Sequence, residues 1–359
     1  MIKIEFIKEL LDARDLSNLY FHSVDKRKLK EYMKYPPYIS ILIVLKKLHD
    51  RLYRSQQKLI RIDNPDDVSD IIQSKILSGK PLMITRFGAV ELGSLTNHIG
   101  IKNGIKDPIK YIKGEIPAWW ADEGSRYCMK NNAGFFPNDD ASLFRFGERM
   151  LEDIKLIDVL ASWLEDEWRF HSEFPEAQLI NLIALDPFWS KTPWTKALEG
   201  KRVLVVHPFS EEIEFQYNNK RKEIHENGDI LPEFRLKTIK AIQSIGGNTE
   251  FNSWFDALSY MESEIDRVEY DVCLLGCGAY GLPLAAHIKR CGKQAVHMGG
   301  SLQLLFGIRG KRWETTKYGS GFFQDGIGKY PTLMNDSWIR PFESSFFKAA
   351  ANVEDGCYW

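Results

Sequence analysis

Three glycines, Gly276, Gly278 and Gly281, follow the apolar run Val272–Leu275 and precede a helix-like stretch. Glycines allow the chain to turn tightly off a strand and to bring backbone N–H groups close to a ligand, and the positive end of the following helix favours an anion. The spacing therefore predicts a loop that binds a phosphate-bearing ligand. It is also compatible with a tight strand–helix junction that binds nothing.

A dinucleotide site needs one further group. An acidic residue about 20 positions on, at the end of the next strand, holds the ribose 2′-hydroxyl. Here the next predicted strand ends in His297, Met298, Gly299 and Gly300, and it carries no carboxylate. A nucleotide-dependent oxidoreductase is therefore supported by the glycine spacing alone. A methyltransferase is disfavoured for a similar reason, because Leu274 stands where that class usually has an acidic residue.

The strand that ends at His297 is followed by a second small-residue loop, Gly299, Gly300 and Ser301. In a parallel sheet both loops open at the carboxyl edge, where ligands bind. Basic side chains within the next dozen residues could neutralise phosphate groups, although they could also be ordinary surface charge. These basic residues are Arg309, Lys311 and Arg312.

The segment "ITRFGAVELGSL" (84–95) is the other concentration of chemically active residues. It predicts a buried strand that ends in Arg86, a turn at Gly88, and a helix that starts close to Glu91. Because burying an unpaired charge is very costly, Arg86 needs a partner or a ligand. Either Arg86 pairs with Glu91 and fixes the turn, or Arg86 binds a phosphate while Glu91 serves a sugar, a metal or an attacking hydroxyl group.

His207 ends the strand-like segment "KRVLVVHPF" (201–209) and is the remaining acid–base candidate, because imidazole titrates near neutral pH. A single histidine is also commonly a satisfied structural group. Helices are expected after this strand, with Ser210 as the cap of the first, and again over 231–247 and 256–268. Alternating strands and helices predict the α/β class, with a Rossmann-like parallel sheet flanked by helices.

The N-terminal part, residues 1–62, predicts an α-helical extension. An apolar stripe suggests that helix 38–61 is amphipathic, and its other face is basic. The stripe consists of Ile41, Leu45, Leu48, Leu52 and Leu59. The basic face is expected to be a solvated surface or a contact for anionic lipid headgroups.

The expected domains are the extension at 1–70, a Rossmann-like domain at 71–345 and a tail at 346–359. The middle domain has an alternative division into lobes 71–195 and 196–345. Within it, 141–170 is expected to form one long helical region.

Composition restricts the class further. The 359 residues include 44% hydrophobic and 27% charged residues with a net charge of −1, which fits a globular protein and calls for no nucleic-acid partner. The charged N-terminus is unlike a signal peptide. The five cysteines contain no C-x-x-C pair, which argues against a disulfide framework and a structural zinc site. We expect a cytoplasmic protein, with peripheral contact at the inner face of the membrane as an option.

The segment "GKPLMITRFGAVEL" resembles the opening motif of the GT-D type glycosyltransferases, bacterial enzymes of surface glycan assembly, which runs Arg-Phe-Gly-Asp-Gly-Glu. Arg86, Phe87, Gly88 and Glu91 match this motif, and Ala89 stands at the position of its Asp. The segment "YDVCLLGCGAYGLPLAAHIKRCGKQAVHMGGSLQ" is similar to the C-terminal glycine-loop unit of the same family, and some of the intervening chain resembles uncharacterised bacterial proteins of polysaccharide loci.

The resemblance implies transfer of a sugar from a nucleotide-sugar donor to a glycan or lipid-linked acceptor in surface polysaccharide synthesis. In the family an Asp-x-Glu pair serves the donor and its Mn²⁺ or Mg²⁺. Because Ala89 leaves one carboxylate, which is a poor site for either ion, metal dependence is in doubt and we assign no metal ligands. Glu91 is then a general base, and Arg86, Arg309 or Lys311 stabilises the departing diphosphate. Loss of the Asp also supports the main alternative, a non-catalytic nucleotide- or glycan-binding protein of this fold.

Overall fold

The computed structural model describes residues 35–53, 59–244, 250–315 and 328–345. Two compact units contain these residues. Segments 35–53 and 104–118 form the smaller unit, and the remaining described residues form the larger one. The helices predicted before residue 35 and the predicted tail 346–359 lie outside the described residues.

The described chain contains strands and α-helices in the following order. The strands are β1 (Leu82–Thr85), β2 (Val159–Ser162), β3 (Gln178–Asn181), β4 (Arg202–His207), β5 (Arg235–Lys240), β6 (Val272–Leu275) and β7 (Gln294–His297). The helices are α1 (Pro37–Leu52), α2 (Pro65–Leu77), α3 (Ala89–Asn103), α4 (Pro108–Ile112), α5 (Glu123–Asn131), α6 (Asp140–Ile154), α7 (Ser210–Ile224), α8 (Trp254–Asp266), α9 (Gly281–Arg290) and α10 (Leu302–Leu305).

The smaller unit packs α1 against α4, with the Lys46 ammonium group 5.9 Å from the centre of the Tyr111 ring. The predicted basic helix 38–61 is too long, because α1 ends at Leu52 and residues 59–61 are not helical. The predicted stripe is also wrong in part. Leu52 is exposed, and the buried residues of α1 are Ile39 and Leu42. Contact of α1 with lipid headgroups stays a prediction.

Arg61 and Ile62 belong to the larger unit and are held there by hydrogen bonds. Ile62 lies beside β3, where its N–H donates to the Leu179 carbonyl at 2.8 Å. The Arg61 guanidinium donates to the Ser162 carbonyl, also at 2.8 Å. No helix within the described ranges is long and apolar enough to cross a membrane.

The larger unit is built on one parallel sheet in the order β3-β2-β1-β7-β6-β4-β5. The predicted α/β fold with a parallel, Rossmann-like sheet is thus confirmed. Strands β1, β2 and β6 are buried along their whole length, as their unbroken apolar sequences require when helices cover both faces. Pairing of β1 with β7 joins the two halves of the chain. In this register Leu82, Met83 and Ile84 lie opposite Gln294, Ala295 and Val296.

Helices pack on both faces of this sheet. One face carries α2, α7 and α10, and the other carries α3, α5, α6, α8 and α9. The chain leaves β1 and β6 towards the second face, and it leaves β4 and β7 towards the first. Loops after neighbouring strands therefore diverge, which opens a crevice at the carboxyl edge of the sheet.

Two predicted helical regions are wrong. Arg235–Lys240, inside the predicted helix 231–247, forms β5 and pairs with β4 along its full length. Its alternating charged and apolar residues suit an edge strand with one face in solvent. The predicted helix 141–170 ends at Ile154, because the apolar run Val159–Ser162 enters the sheet as β2.

The helices α2 and α7 start differently. Asn64 caps α2, since its side chain accepts hydrogen bonds from the N–H groups of Asp66 and Asp67. Ser210 is not a cap. It is the first residue of α7, and its neighbour Phe209 occupies the cap position without a side-chain hydrogen bond.

Candidate functional site

A cleft of about 210 Å³ opens at the carboxyl edge of the sheet, over β1, β7, β6 and β4. Most of the residues that the sequence singles out lie in its walls. These are Arg86, Gly88, Glu91, His207, Gly276, Gly278, His297, Gly299 and Gly300. Gly281, Ser301, Arg309 and Lys311 do not line the cleft. The parallel strands thus bring the two predicted loops and the "RFGAVE" segment to one place.

Arg86, directly after β1, lines the cleft and is held there by local contacts. Its Nε and Nη2 atoms donate to the Phe87 carbonyl at 3.0 and 2.9 Å. The guanidinium carbon lies 5.0 Å from the centre of the Trp163 ring, and the indole N–H of Trp163 donates to the same carbonyl at 2.9 Å. Cation–π contact and shared hydrogen bonding therefore fix the guanidinium before any ligand arrives.

Glu91 folds back over the start of α3. A Cβ on Gly88 would lie 1.9 Å from a carboxylate oxygen of Glu91, so this position has no space for a side chain. Gly88 precedes the first residue of α3, and Glu91 occupies the position from which a carboxylate reaches back over a helix start. Burial raises the pKa of Glu91 above its ordinary value, and a hydrogen bond to its own backbone and the charge of Arg86 partly oppose the rise. Glu91 is therefore a more basic carboxylate than an exposed one.

Gly276, Gly278 and Gly281 have the G-x-G-x-x-G spacing and are called the fingerprint glycines below. The first of them, Gly276, makes space for protein atoms. A Cβ there would lie 2.5 Å from the His207 ring and 2.9 Å from the Gly299 carbonyl oxygen. The Nδ1 atom of His207 accepts the Phe209 N–H at 3.0 Å, so its proton is on Nε2. Burial lowers the pKa of His207 to about 3, which keeps the ring neutral at neutral pH.

Gly281, the last fingerprint glycine, lies against the other buried histidine. A Cβ on Gly281 would lie 2.2 Å from Nε2 of His297. The Nδ1 atom of that ring lies 2.9 Å from the Thr85 hydroxyl oxygen. Burial, assisted by the charge of Arg86, lowers the pKa of His297 to about 3. Gly278 differs from the other two, because it has a φ of 57° and no atom near its Cβ position, so it serves the turn itself.

The close contact at Gly281 predicts a large effect of a single methyl group. Gly281→Ala should lower the free energy of unfolding by about 1–3 kcal/mol, because the buried His297 ring cannot move away freely. Urea unfolding measures this change. Gly228→Ala is the matched control, since a Cβ on Gly228 meets nothing within 4 Å. In a His297→Ala background, Gly281→Ala should lower the free energy of unfolding by less, because the ring that the new methyl group meets is gone. Equal stability of the two glycine variants would contradict the packing role.

Asp186 does not line the cleft, but this buried residue interacts electrostatically with Arg86, which does, and it is not among the residues predicted from the sequence. Its carboxylate is buried behind the cleft wall and accepts hydrogen bonds from Ser301 at 2.6 Å and Tyr330 at 2.5 Å. Burial raises its pKa to about 6, while the two hydroxyl groups and the charge of Arg86 oppose the rise. Ser301, predicted as a ligand contact, thus orients Asp186, whose charge in turn acts on Arg86. No local motif marks Asp186 in the sequence.

The raised pKa of Asp186 predicts a pH-dependent contribution to stability. The folded carboxyl group titrates at about 6 instead of 3.8, so the folded state holds the proton more tightly. Relative to Asp186→Asn, wild-type stability should therefore fall by about 3 kcal/mol as the pH rises through this window, and then level off. Chemical unfolding of both proteins between about pH 3 and pH 7 measures the difference. A difference that is constant, or that grows with pH, would rule out the titration.

Of the three basic residues predicted to neutralise phosphate groups, two lie outside the cleft lining. The Arg309 guanidinium donates to the Asn335 carbonyl at 2.7 Å, and Lys311 is exposed outside the cleft. Arg312, the third residue of this basic group, lines the cleft. A short 3₁₀ turn over Lys311–Glu314 accounts for the difference, because neighbouring residues of a turn point in different directions.

The cleft lining also includes aromatic and polar side chains. Tyr280 stacks on Trp254 at 4.9 Å between ring centres, and its hydroxyl group lies 2.8 Å from that of Ser244. Phe209 and Trp163 add further apolar surface. Aromatic rings beside fixed cations are suited to a ligand with a flat ring and an anionic part.

The residues of the cleft do not fit a dedicated Mg²⁺ or Mn²⁺ site. Glu91 is the sole carboxylate among its lining residues in the described part of the chain, whereas these ions prefer several oxygen ligands. Ala89, at the position of the motif Asp, lines the cleft without offering a ligand atom. Positive charge in the cleft comes from Arg86 and Arg312.

Comparisons with known family models, with curated proteins and with solved structures find no match to this chain.

Proposed function

We propose that this chain is a glycosyltransferase that binds a nucleotide-sugar donor in the cleft at the carboxyl edge of its sheet. The main support is the meeting of the "RFGAVE" segment with both small-residue loops in that one cleft. These are the two parts of the sequence that resemble GT-D type enzymes. The proposed acceptor is a glycan or lipid-linked saccharide, as in that family.

The diphosphate of the donor is assigned to the side of the cleft that holds Arg86. The guanidinium group is fixed by the Phe87 carbonyl and the Trp163 ring, and its Nη1 atom lies 3.0 Å from the Cβ position of Gly299. Gly299 therefore permits the arginine to cross the loop after β7. Gly278 presents open backbone in the 3₁₀ turn that directly precedes α9, whose N-terminal end favours an anion.

Transfer requires an acceptor hydroxyl group to attack the anomeric carbon of the donor. The new carbon–oxygen bond forms as the bond from that carbon to the phosphate oxygen breaks, and its electron pair leaves with the nucleoside diphosphate. Glu91 is assigned the hydroxyl proton, because its raised pKa makes it a stronger base. Arg86 and Arg312 stabilise the charge that develops on the diphosphate.

His207 has a different role from the acid–base function considered first. With a pKa of about 3 and its proton on Nε2, it is a neutral hydrogen-bond donor in the cleft wall. A neutral imidazole can still polarise or orient an oxygen atom of the ligand without exchanging a proton. We therefore assign His207 to ligand orientation.

A non-catalytic nucleotide-sugar-binding protein is the second candidate. Ala89 replaces the motif Asp, and the Glu91 carboxylate is already engaged with the start of α3. An oxidoreductase is less well supported. The end of β7 supplies no carboxylate for a ribose, and two of the three fingerprint glycines accommodate the rings of His207 and His297.

A ligand screen separates these candidates. We expect UDP-, GDP-, CMP- or TDP-sugars to raise the midpoint of thermal unfolding, and NAD(P)(H) to have no effect. Incubation with the sugar nucleotide that binds and with mixed saccharide acceptors should then release free nucleotide. Binding without release across broad acceptors would favour the non-catalytic candidate. Stabilisation by NAD(P)(H) alone would overturn the proposal.

A further inference from the structure

A cluster of three potential metal ligands lies at the amino edge of the sheet, opposite the cleft. It joins the C-terminal end of α8, which carries Asp266, to the end of α9, which carries His287 and Cys291. The helix spacing of four places the imidazole and the thiol on one face of α9. The absence of C-x-x-C pairs argues against a zinc site built from cysteine pairs, but it does not cover a site formed by one histidine and one cysteine.

The distances within the cluster are close to those of a tetrahedral site. The Cys291 sulfur lies 3.7 Å from Nε2 of His287 and 3.8 Å from Oδ1 of Asp266, and these two atoms are 2.9 Å apart. Zinc bond lengths of about 2.0 Å to N and O and 2.3 Å to S give ligand separations of about 3.3–3.6 Å in a tetrahedron. Movements of about 0.5 Å or less would therefore fit the three ligands around one ion.

The surroundings of the cluster also suit a cation. Oε1 of Glu262 lies 3.9 Å from Nδ1 of His287, on the side of the ring away from Asp266. This oxygen accepts from the Arg149 guanidinium at 2.8 Å and is outside hydrogen-bond distance of the imidazole, so a small approach is needed before the carboxylate can orient a metal-bound histidine. The C-terminal ends of α8 and α9 add partial negative charge. The His287 and Glu262 side chains are only 20% and 16% exposed, so they are largely pre-positioned.

We propose that Asp266, His287 and Cys291 form a Zn²⁺ site with Glu262 as the outer partner of the histidine. One thiolate, one imidazole and one carboxylate are a ligand set that favours zinc over Mg²⁺ or Ca²⁺. Asp266 and Cys291 are exposed, which leaves the fourth tetrahedral position to water. On binding, the ion takes the place of the contact between Nε2 of His287 and Asp266, the neutral imidazole carries its single proton on Nδ1, and the Cys291 thiol releases its proton to solvent.

Cobalt substitution tests this site on the full-length protein. Co²⁺ titration of metal-free wild type should give one equivalent of tetrahedral d–d absorption together with a thiolate-to-cobalt charge-transfer band, and Zn²⁺ should displace both. Cys291→Ser should abolish the charge-transfer band and weaken Zn²⁺ binding at least roughly 100-fold, and Glu262→Gln should weaken it roughly 10-fold or more. Cys128→Ser, which changes a cysteine of α5, is the matched control and should bind like wild type.

The proposal is overturned if wild type shows no tetrahedral thiolate–cobalt spectrum, or if Cys291→Ser leaves that spectrum unchanged. Circular dichroism of each variant confirms that the fold is retained. This outcome is independent of sugar transfer, because the cluster and the cleft lie at opposite edges of the sheet.

Discussion

Glu91→Gln should lower the rate of sugar transfer by roughly 10²–10⁴-fold and leave donor affinity nearly unchanged. The amide cannot take the proton of the acceptor hydroxyl group, which is the role proposed for the carboxylate. Glutamine keeps the size of the side chain and can still accept the backbone hydrogen bond at the start of α3. The effect should therefore appear in kcat, measured by release of nucleoside diphosphate.

The control for this variant is Glu226→Gln, which makes the same change at an exposed position outside the cleft. Thermal unfolding of Glu91→Gln should remain close to wild type, which separates catalysis from folding. Full transfer activity in a folded Glu91→Gln protein would show that another group accepts the proton.

Arg86→Met should weaken donor binding by roughly 10- to 100-fold. Hydrogen bonds to charged groups contribute about 1.5–3 kcal/mol, and the guanidinium group is the pre-positioned cation of the cleft. Methionine retains much of the apolar length that packs against Trp163. Calorimetric titration with the preferred nucleotide sugar measures the dissociation constant.

Two further variants make the test of Arg86 specific. Arg86→Lys keeps the charge but loses the planar donors that bind the Phe87 carbonyl, so an intermediate affinity is expected. Arg235→Met removes an exposed arginine of β5 and should bind like wild type. Unchanged affinity in Arg86→Met would remove the diphosphate from this side of the cleft.

Much of the cleft could be predicted from the sequence, because the loops that line it directly follow recognisable strands. The apolar runs of β1, β4, β6 and β7 are short and uninterrupted, and each is followed by a glycine or a polar residue. In a parallel sheet, the ends of such strands meet at one edge. The loop at Gly276 and the loop at Gly299 accordingly line one cleft, and their binding of a ligand there stays a prediction.

Other features depend on contacts between distant residues and left no local pattern. The sequence predicts a helix over 231–247, whereas pairing with β4 makes Arg235–Lys240 a strand. Asp186 is held by Ser301 and Tyr330 and interacts with Arg86, and all three residues are far away in sequence. The fingerprint suggested that its glycines approach a ligand, whereas Gly281 faces the ring of His297.

The central claim is that the carboxyl-edge cleft binds a nucleotide sugar through the protein's own cations. Calorimetric titration of the wild-type protein with nucleotide sugars, repeated in the presence of a chelator, tests it most directly. We predict one nucleotide sugar bound per chain, with the same affinity under both conditions and a loss of affinity in Arg86→Met. Binding of NAD(H) alone, or nucleotide-sugar binding that the chelator abolishes, would contradict the account.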